Sequence, residues 1–268
     1  EGICLHSGQN SKVTISPSES VGINVGFSTE NKNFKSVHPN QVLSTQLCTT
    51  LQFGERTLST VEHLFAALIG CGITHVQVEV SGSEIPLLDG SSLGWVEAIK
   101  ESGLKPVEGS YRKIPHLEHP LTMHQGESVI TAIPSEKHKF IVIIDFPYPA
   151  IGQQVFSIEL TPTKFVEEIA PARTFGFKDQ VEHLIAKGLI KGGNLENSLV
   201  CDGKFWLNPP LRFKDEPVRH KLLDLIGDLA LVGLPKGQFL VYRGSHALHA
   251  ELASALLKES LSLPESFD

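Results

Sequence analysis

The chain has 268 residues, of which 41% are hydrophobic and 20% charged, and its formal net charge is −7. Because an acidic chain has no overall positive field, a nucleic-acid partner is not expected. No apolar run reaches the ~20 residues that cross a bilayer, which argues against stable membrane insertion. The four cysteines form no C-x-x-C pair. Neither a cysteine zinc site nor a disulfide framework is therefore expected, and a reducing, cytoplasmic location fits best.

The first hundred residues alternate between predicted strands and helices. In chain order these are strands 12–16 and 22–27, helix 59–69, strand 73–80 and helix 92–102. The first helix is predicted from an apolar stripe that includes Val61 and Leu68, with Gly70 as a stop. The segment 105–110 contains Pro106 and Gly109 and breaks the pattern, so we place a domain boundary there.

The second half begins with strands and ends with helices. In chain order the predicted elements are strands 128–133, 140–146 and 153–160, helices 163–169, 178–187 and 217–233, strand 238–243 and helix 246–259. Its last three elements repeat the helix–strand–helix order that closes the first half. We therefore expect an approximate duplication, in which both blocks begin with a histidine-bearing helix.

This repeat predicts an α+β fold of two similar domains, residues 1–107 and 111–268. Each would be a mostly antiparallel sheet with helices on one face, and the two helical layers would face each other. The segment 178–202 has no counterpart in the first half and is predicted to be an insert. It could line an apolar groove, or it could be an ordinary helical excursion packed on the sheet.

Three polar side chains of the helix 217–233 are spaced four residues apart. His220, Asp224 and Asp228 therefore lie on one helix face, away from an apolar stripe. An imidazole and a carboxylate one turn apart can share a Zn²⁺ ion, and His63 on the first helix could supply a third ligand. Glu62 would then stand beside a ligand, where it could act as the base that takes a proton from water.

The same patterns have plainer interpretations. Ser59 and Glu62 fit a helix-capping box, and His-x-x-x-Asp on a helix is typical of a solvated face. If a zinc hydrolase is correct, a developing oxyanion needs donors, for which Lys221 and Thr174 are candidates.

A leaving amine also needs an acid. His246 follows a predicted strand end, and Asp228 could hold it as an imidazolium; His249 is a competing candidate.

Seven motifs in order, spread almost end to end, resemble the UDP-3-O-acyl-N-acetylglucosamine deacetylase family. The matching segments are GICLHSG at 2–8, STVEHL at 59–64, IPLLDGS at 85–91, ARTFGF at 172–177, LRFKDE at 211–216, RHK at 219–221 continuing to GDL at 227–229, and SHA at 245–247. The order Gly244-Ser245-His246 departs from the family's Ser-Gly-His at this place.

The resemblance implies a zinc-dependent deacetylase of lipid A biosynthesis that releases acetate from an acylated UDP-amino sugar. It implies that His63, His220 and Asp224 bind zinc, that Glu62 is the base, and that His246 is the acid, with Asp228 as its partner. It further implies roles at the substrate. Thr174 and Lys221 would hold the acetamide and the oxyanion, and Phe175 would pack on the sugar. Val181 and Gly193 would line the acyl passage in the insert. The uridine diphosphate would be held by Asp145, Phe146 and Arg243.

Two alternatives remain open at this point. One is a related zinc amidase acting on another acylated amino sugar, and the other is a zinc-containing binding protein without turnover. Both Glu62 and His246 are present, which favours an enzyme. A cytoplasmic monomer is expected.

Overall fold

The structure is a computed structural model that describes residues 1–29, 33–107, 114–115 and 117–262. Within these residues the chain is a mixed α/β protein whose buried apolar side chains form one continuous core that draws on both halves of the sequence. The helices are Glu62–Gly70 (α1), Leu93–Ser102 (α2), Pro162–Lys164 (α3, continued by the π-helical Phe165–Ile169), Lys178–Ala186 (α4), Glu216–Leu229 (α5, continued by the 3-10 turn Ala230–Val232) and His246–Ser262 (α6).

The strands fall into two main sheets and three small ones. In the first half they are Gly2–Ile3 (β1), Asn10–Ser11 (β2), Val13–Pro17 (β3), Gly22–Phe27 (β4), Lys35–Ser36 (β5), Val42–Ser44 (β6), Thr50–Phe53 (β7), Arg56–Leu58 (β8) and His75–Val80 (β9). In the second half they are Leu121–Gln125 (β10), Ser128–Ile133 (β11), His138–Asp145 (β12), Gln153–Glu159 (β13), Phe175–Phe177 (β14), Leu199–Cys201 (β15) and Gly237–Tyr242 (β16).

Four strands of the second main sheet follow the strand order of the first. The first sheet runs β3-β9-β4-β5, and the second runs β10-β11-β16-β12-β13, with β10 as an additional edge strand. In each, the strand that follows the histidine-bearing helix pairs in parallel with one neighbour and antiparallel with the other. All other pairs in these two sheets are antiparallel, so the predicted mostly antiparallel sheets are present.

Helices α1 and α5 pack directly against each other, and this contact positions the site. They approach closely at Gly227, where a β-carbon would stand 2.1 Å from the carbonyl oxygen of Glu62. Helix α5 also packs on β12 and β13, and α6 packs on β10 and β11.

The polar face of α5 is buried, as is its apolar stripe. His220 and Asp224 are each 2% exposed and Asp228 is 1% exposed. The alternative of a solvated helix face is therefore wrong. A buried row of one imidazole and two carboxylates needs polar partners, because burial of unpaired polar groups is unfavourable.

The capping box predicted as an alternative for Glu62 is also wrong. Helix α1 begins at Glu62 itself, and no side chain caps its start. Ser59 instead pairs its main chain with the segment at 83–85, and its hydroxyl accepts from Thr50. The Glu62 carboxylate is thus available for other partners.

The predicted insert, 178–202, forms a small β-α-β unit together with β14, which lies just before it. Strands β14 and β15 pair in parallel and are joined through α4, which has no fully buried residue. Part of the predicted domain boundary, residues 108–110, lies outside the described residues. Over the described part of the chain, no helix is both long enough and apolar enough to span a membrane.

Candidate metal centre and active site

Two histidines and an aspartate from the two facing helices converge on one point. The Nε2 atoms of His63 and His220 lie 3.8 Å and 3.4 Å from the same Asp224 oxygen, Oδ1. Potential ligand atoms of the three side chains all lie within 4.8 Å of one another. The two imidazole rings are nearly perpendicular, at 86°, with centroids 5.0 Å apart. Atoms arranged in this way can share one cation.

Both imidazoles are held in the neutral form that binds metal. Burial, reinforced by the neighbouring His220, lowers the pKa of His63 to about 3. Burial also lowers the pKa of His220, against the opposing effect of Asp224. The Nδ1 of His220 lies 3.0 Å from the carbonyl oxygen of Ala172. When Nδ1–H donates to this carbonyl, the neutral ring has its free lone pair on Nε2, the atom that faces Asp224.

Asp224 is kept ionised in spite of its burial. Burial alone would raise the pKa of this carboxyl, but Lys221 and His220 hold it well below its usual range. The Lys221 ammonium donates to Asp224 Oδ2 at 2.6 Å and lies 5.7 Å from the centre of the Phe175 ring. Oδ2 is therefore occupied by the lysine, while Oδ1 faces the two histidines.

Glu62 is a buried carboxylate beside these three side chains. It is 2% exposed, and its Oε2 accepts the main-chain N–H of Thr49 at 3.2 Å. Burial raises the pKa of Glu62 to about 8, with Asp228 and Asp224 adding to the rise and His246 opposing it. A carboxylate whose pKa lies near neutrality is well matched to accepting a proton and passing it on.

Asp228 and Thr49 connect Glu62 to His246 through hydrogen bonds. Its Oδ1 accepts the Thr49 hydroxyl at 2.5 Å, and its Oδ2 lies 2.8 Å from Nδ1 of both His246 and His249. Burial alone would lower the pKa of His246, but Asp228 raises it to about 9. His246 is thus an imidazolium near neutral pH, the form that can donate a proton.

A cleft of about 720 Å³ opens onto this cluster. The predicted site residues that line it are Glu62, His63, Asp145, Phe146, Thr174, Phe175, His220, Lys221, Asp224, Arg243 and His246. The structure therefore brings together most of the side chains singled out from the sequence, although they come from positions up to 184 residues apart, from Glu62 to His246.

The cleft has an aromatic wall and a charged end. Phe175 contacts Phe146 edge to face, with ring centroids 5.5 Å apart. Arg243 donates to Asp145 at 2.8 Å and also pairs with Glu127. The main-chain N–H of Thr174 donates to the carbonyl oxygen of Gly90 at 2.7 Å. This bond connects the loop before β14 to the first half of the chain.

Three predicted residues do not line the cleft. Asp228 lies behind it and acts on His246. Val181 is half-buried on α4. Gly193 lies next to Leu5, which does line the cleft: a β-carbon on Gly193 would stand 3.3 Å from its Cδ1.

Thr49 is a residue of the candidate site that the sequence does not indicate. It contacts both Glu62 and Asp228, yet it lies in a loop before β7 with no periodic pattern around it. The sequence suggests His249 only as an alternative to His246, whereas in the structure both rings contact the same carboxylate oxygen of Asp228. The i, i+3 spacing of His246 and His249 on α6 could have indicated this shared partner.

The donor set fits a zinc ion. Two neutral imidazole nitrogens and one carboxylate oxygen, all buried, form a ligand set of the kind that catalytic zinc sites use, and a set of three protein ligands leaves a coordination position for water or substrate. The buried carboxylate of Glu62 and the imidazolium of His246 line the same cleft. Together these features define a metal-dependent hydrolase.

Comparison with known proteins identifies the family. The model of the LpxC family, UDP-3-O-acyl N-acetylglycosamine deacetylase, matches residues 1–258. A deacetylase of that name from Thermosynechococcus vestitus is 46% identical, over 96% of this chain and 90% of its own length. A second, from Trichormus variabilis, is 45% identical over 96% of this chain and 94% of its own length. A third, from Oleidesulfovibrio alaskensis, is 41% identical over 92% of this chain and 82% of its own length. The chain belongs to this family of metal-dependent amide hydrolases in lipid A biosynthesis.

Proposed function

We propose that this chain hydrolyses the acetamide of UDP-3-O-(3-hydroxyacyl)-N-acetylglucosamine and releases acetate. The observation that carries the proposal is the convergence of His63, His220 and Asp224 beside Glu62 and His246 in one cleft, in a member of this family. Each of these five side chains matches a role that amide hydrolysis requires: holding a metal, accepting a proton or donating one.

The ligands would be Nε2 of His63, Nε2 of His220 and Oδ1 of Asp224. When bound, zinc supplies Lewis-acid polarisation of the amide carbonyl and activation of the attacking water. Lys221 occupies the other oxygen of Asp224 and so favours binding through Oδ1.

Glu62 acts as the general base. It accepts a proton from the water that attacks the acetamide carbonyl, and its raised pKa makes the ionised form a stronger base than an ordinary carboxylate. The N–H of Thr49 holds one carboxylate oxygen at 3.2 Å, so the other oxygen remains for the water.

His246 acts as the general acid. As the C–N bond breaks, it donates a proton to the departing glucosamine nitrogen, which leaves as an amine while the acetyl group leaves as acetate. Asp228 holds the ring through Nδ1, so Nε2 is the nitrogen that donates. The cost of charging a buried ring is offset by this carboxylate.

Lys221 and Thr174 stabilise the developing oxyanion and position the acetamide. Both line the cleft, and the ammonium of Lys221 lies next to a ligand carboxylate at the floor of the site. Fixed donors that face a developing negative charge lower the barrier without having to reorganise.

The remaining residues are proposed to recognise the rest of the substrate. Phe175 would pack on the sugar, and Asp145, Phe146 and Arg243 would hold the uridine diphosphate at the charged end of the cleft. Val181 and Gly193 would line the acyl passage in the insert, where the contact between Gly193 and the cleft residue Leu5 supports a connection.

We infer that the molecule has two domains, 1–107 and 111–268, whose helical layers face each other as a sandwich. The repeated strand order of the main sheets and the direct packing of α1 on α5 support this division. We further propose that the protein works as a cytoplasmic monomer. We also propose that it has no nucleic-acid partner, because its net charge is acidic.

Acetate release from the acylated nucleotide sugar tests the proposal. The purified chain should release acetate, should lose this activity with a chelator, and should regain it when zinc is added back. Stoichiometric zinc binding without acetate release would contradict the proposed enzyme and indicate a binding protein. Faster release from an acylated amino sugar without the nucleotide would contradict the proposed substrate.

A further inference from the structure

One peptide unit near the metal site is held at both ends by helix α5. The peptide between Ala172 and Arg173 accepts from Nδ1 of His220 through its carbonyl, at 3.0 Å. The N–H of the same peptide donates to Oε1 of Glu216, also at 3.0 Å. Glu216 lies four residues before His220 on α5, so both contacts come from one face of one helix.

Glu216 is more deeply buried than the carboxylates of Glu62, Asp224 and Asp228. It is 0% exposed. Besides the Arg173 peptide, Oε1 accepts from Arg173 Nε at 2.9 Å, while Oε2 accepts from Arg173 Nη2 at 3.2 Å and from the main-chain N–H of Arg212 at 2.6 Å. A carboxylate that accepts from four donors is fixed in position.

We propose that Glu216 is a positioning residue for the metal ligand His220, acting through the Ala172–Arg173 peptide; the inference rests on the proposed function, in which His220 binds zinc. The carboxylate fixes the plane of the peptide, and the peptide carbonyl fixes the ring of His220. The ring is thereby aimed with Nε2 towards Asp224. No contact between Glu216 and the substrate cleft is required, and Glu216 does not line it.

The charge of Glu216 adds to this geometric effect. An anion that accepts from a peptide N–H polarises the whole amide, which makes its carbonyl oxygen a stronger acceptor. A stronger acceptor at Nδ1–H makes the imidazole a better donor at Nε2. Groups that hydrogen-bond to a histidine ligand change metal affinity by about 10- to 100-fold when they are replaced. Glu216 would act one hydrogen bond further out, through a rigid planar peptide.

A purely structural role for Glu216 makes a different prediction. Its ion pair with Arg173 could simply hold the loop 171–174 against α5. Loss of either partner would then loosen the loop equally. Under our proposal only the carboxylate matters for the metal, because the Arg173 main-chain N–H remains when its side chain is changed.

The test compares zinc affinity in three variants. Glu216→Gln keeps the size and one oxygen acceptor but removes the charge, and it should weaken zinc binding about 10-fold or more in a competition with a chelator. Arg173→Lys keeps the positive charge and the peptide N–H, and it should bind zinc within about 3-fold of the unmodified chain. Glu84→Gln makes the same change at another buried carboxylate, which accepts main-chain N–H groups of His6 and Ser7, and it should leave zinc affinity unchanged.

The visible absorption of the cobalt-substituted protein gives a second measurement. A reoriented His220 changes the ligand field, so Glu216→Gln should shift the cobalt bands while Arg173→Lys and Glu84→Gln should not. If Glu216→Gln does not fold, Glu216→Asp is measured instead, because its shorter side chain keeps the charge but draws it away from the peptide.

Three outcomes would overturn the inference. The first is an unchanged zinc affinity in the Glu216 variant. The second and third are a loss of zinc affinity in Arg173→Lys, or in Glu84→Gln, as large as the loss in the Glu216 variant. Failure of the unmodified chain to bind zinc at all would instead contradict the proposed function, so the two failures are distinguishable.

Discussion

The α-carbon of Gly227 lies directly against the main chain of Glu62. A β-carbon at this position would stand 2.1 Å from the Glu62 carbonyl oxygen and 2.8 Å from its α-carbon. Glycine is therefore the residue that lets α5 and α1 approach closely enough to bring His63 into reach of Asp224. The metal site depends on this helix crossing as much as on its ligands.

We predict that Gly227→Ala disrupts the metal site without changing any ligand. The added methyl group clashes with backbone, which cannot move aside cheaply, so the helices must separate. Overpacking of this kind typically costs about 1–3 kcal/mol or more. Thermal unfolding and zinc titration should show both lower stability and weaker binding.

Gly176→Ala serves as the control for stability and zinc binding, since nothing lies within 4 Å of its added methyl group. Normal zinc affinity in Gly227→Ala would show that the close crossing is not needed.

We predict that Glu62→Gln retains zinc and loses most activity. The amide can still accept from Thr49, so the local fold is kept, but it cannot take a proton from water. Loss of a general base typically lowers the rate by about 10²- to 10⁴-fold. Turnover and metal content are measured on the same sample. Activity close to that of the unmodified chain would remove Glu62 as the base.

We predict that Asp224→Ala releases the metal. The change removes the one oxygen that both histidine Nε2 atoms approach, and it leaves the Lys221 ammonium facing the site without its carboxylate. Zinc content after purification should fall far below one per chain. Stoichiometric zinc in this variant would contradict the assigned ligand set.

The sequence was informative where chemistry follows helical periodicity. His220, Asp224 and Asp228 were placed on one face from their spacing alone, and the structure has them on one helix. The repeated order of helix, strand and helix predicts two similar blocks, and four strands of the second main sheet follow the order of the four strands of the first. The first signal is the period of one helix and the second is the order of elements along the chain, so neither requires a long-range contact to be known.

The sequence was less informative where long-range contacts decide. Ser59 and Glu62 have the spacing of a capping box, but the main chain of Ser59 bonds to the segment at 83–85 and the helix starts later. Thr49 lies 179 residues from Asp228 in the chain, and only the fold brings them together. Strands β14 and β15 are three residues each and carry almost no periodic signal.

We predict that Asp228→Asn moves the basic limb of the pH profile to lower pH. Asp228 raises the pKa of His246 to about 9, so the acid form is present below that pH and is lost above it. Without the carboxylate, burial lowers the pKa, and the proton is lost at a lower pH. The pH dependence of kcat/KM is the measurement. A basic limb at its original position would show that His246 is not the acid that Asp228 controls.

We predict that His249→Leu impairs catalysis and that His249→Asn largely restores it. His249 is 1% exposed, and its Nδ1 lies 2.8 Å from the Asp228 oxygen that also binds His246. Leucine removes a donor and leaves the carboxylate partly unsatisfied, at a cost of about 1–3 kcal/mol. The Asn side-chain amide can replace the donor at nearly the same distance from the backbone.

The measurements are the turnover rate per bound zinc ion and the thermal stability of each variant. His249→Leu should keep zinc, because His249 contacts none of the three ligands by hydrogen bond or ion pair among the described residues. It should lose turnover because Asp228 is free to rotate away from His246. Equal turnover in the leucine and asparagine variants would show that the second imidazole only fills space beside Gly244, against which its Nε2 packs.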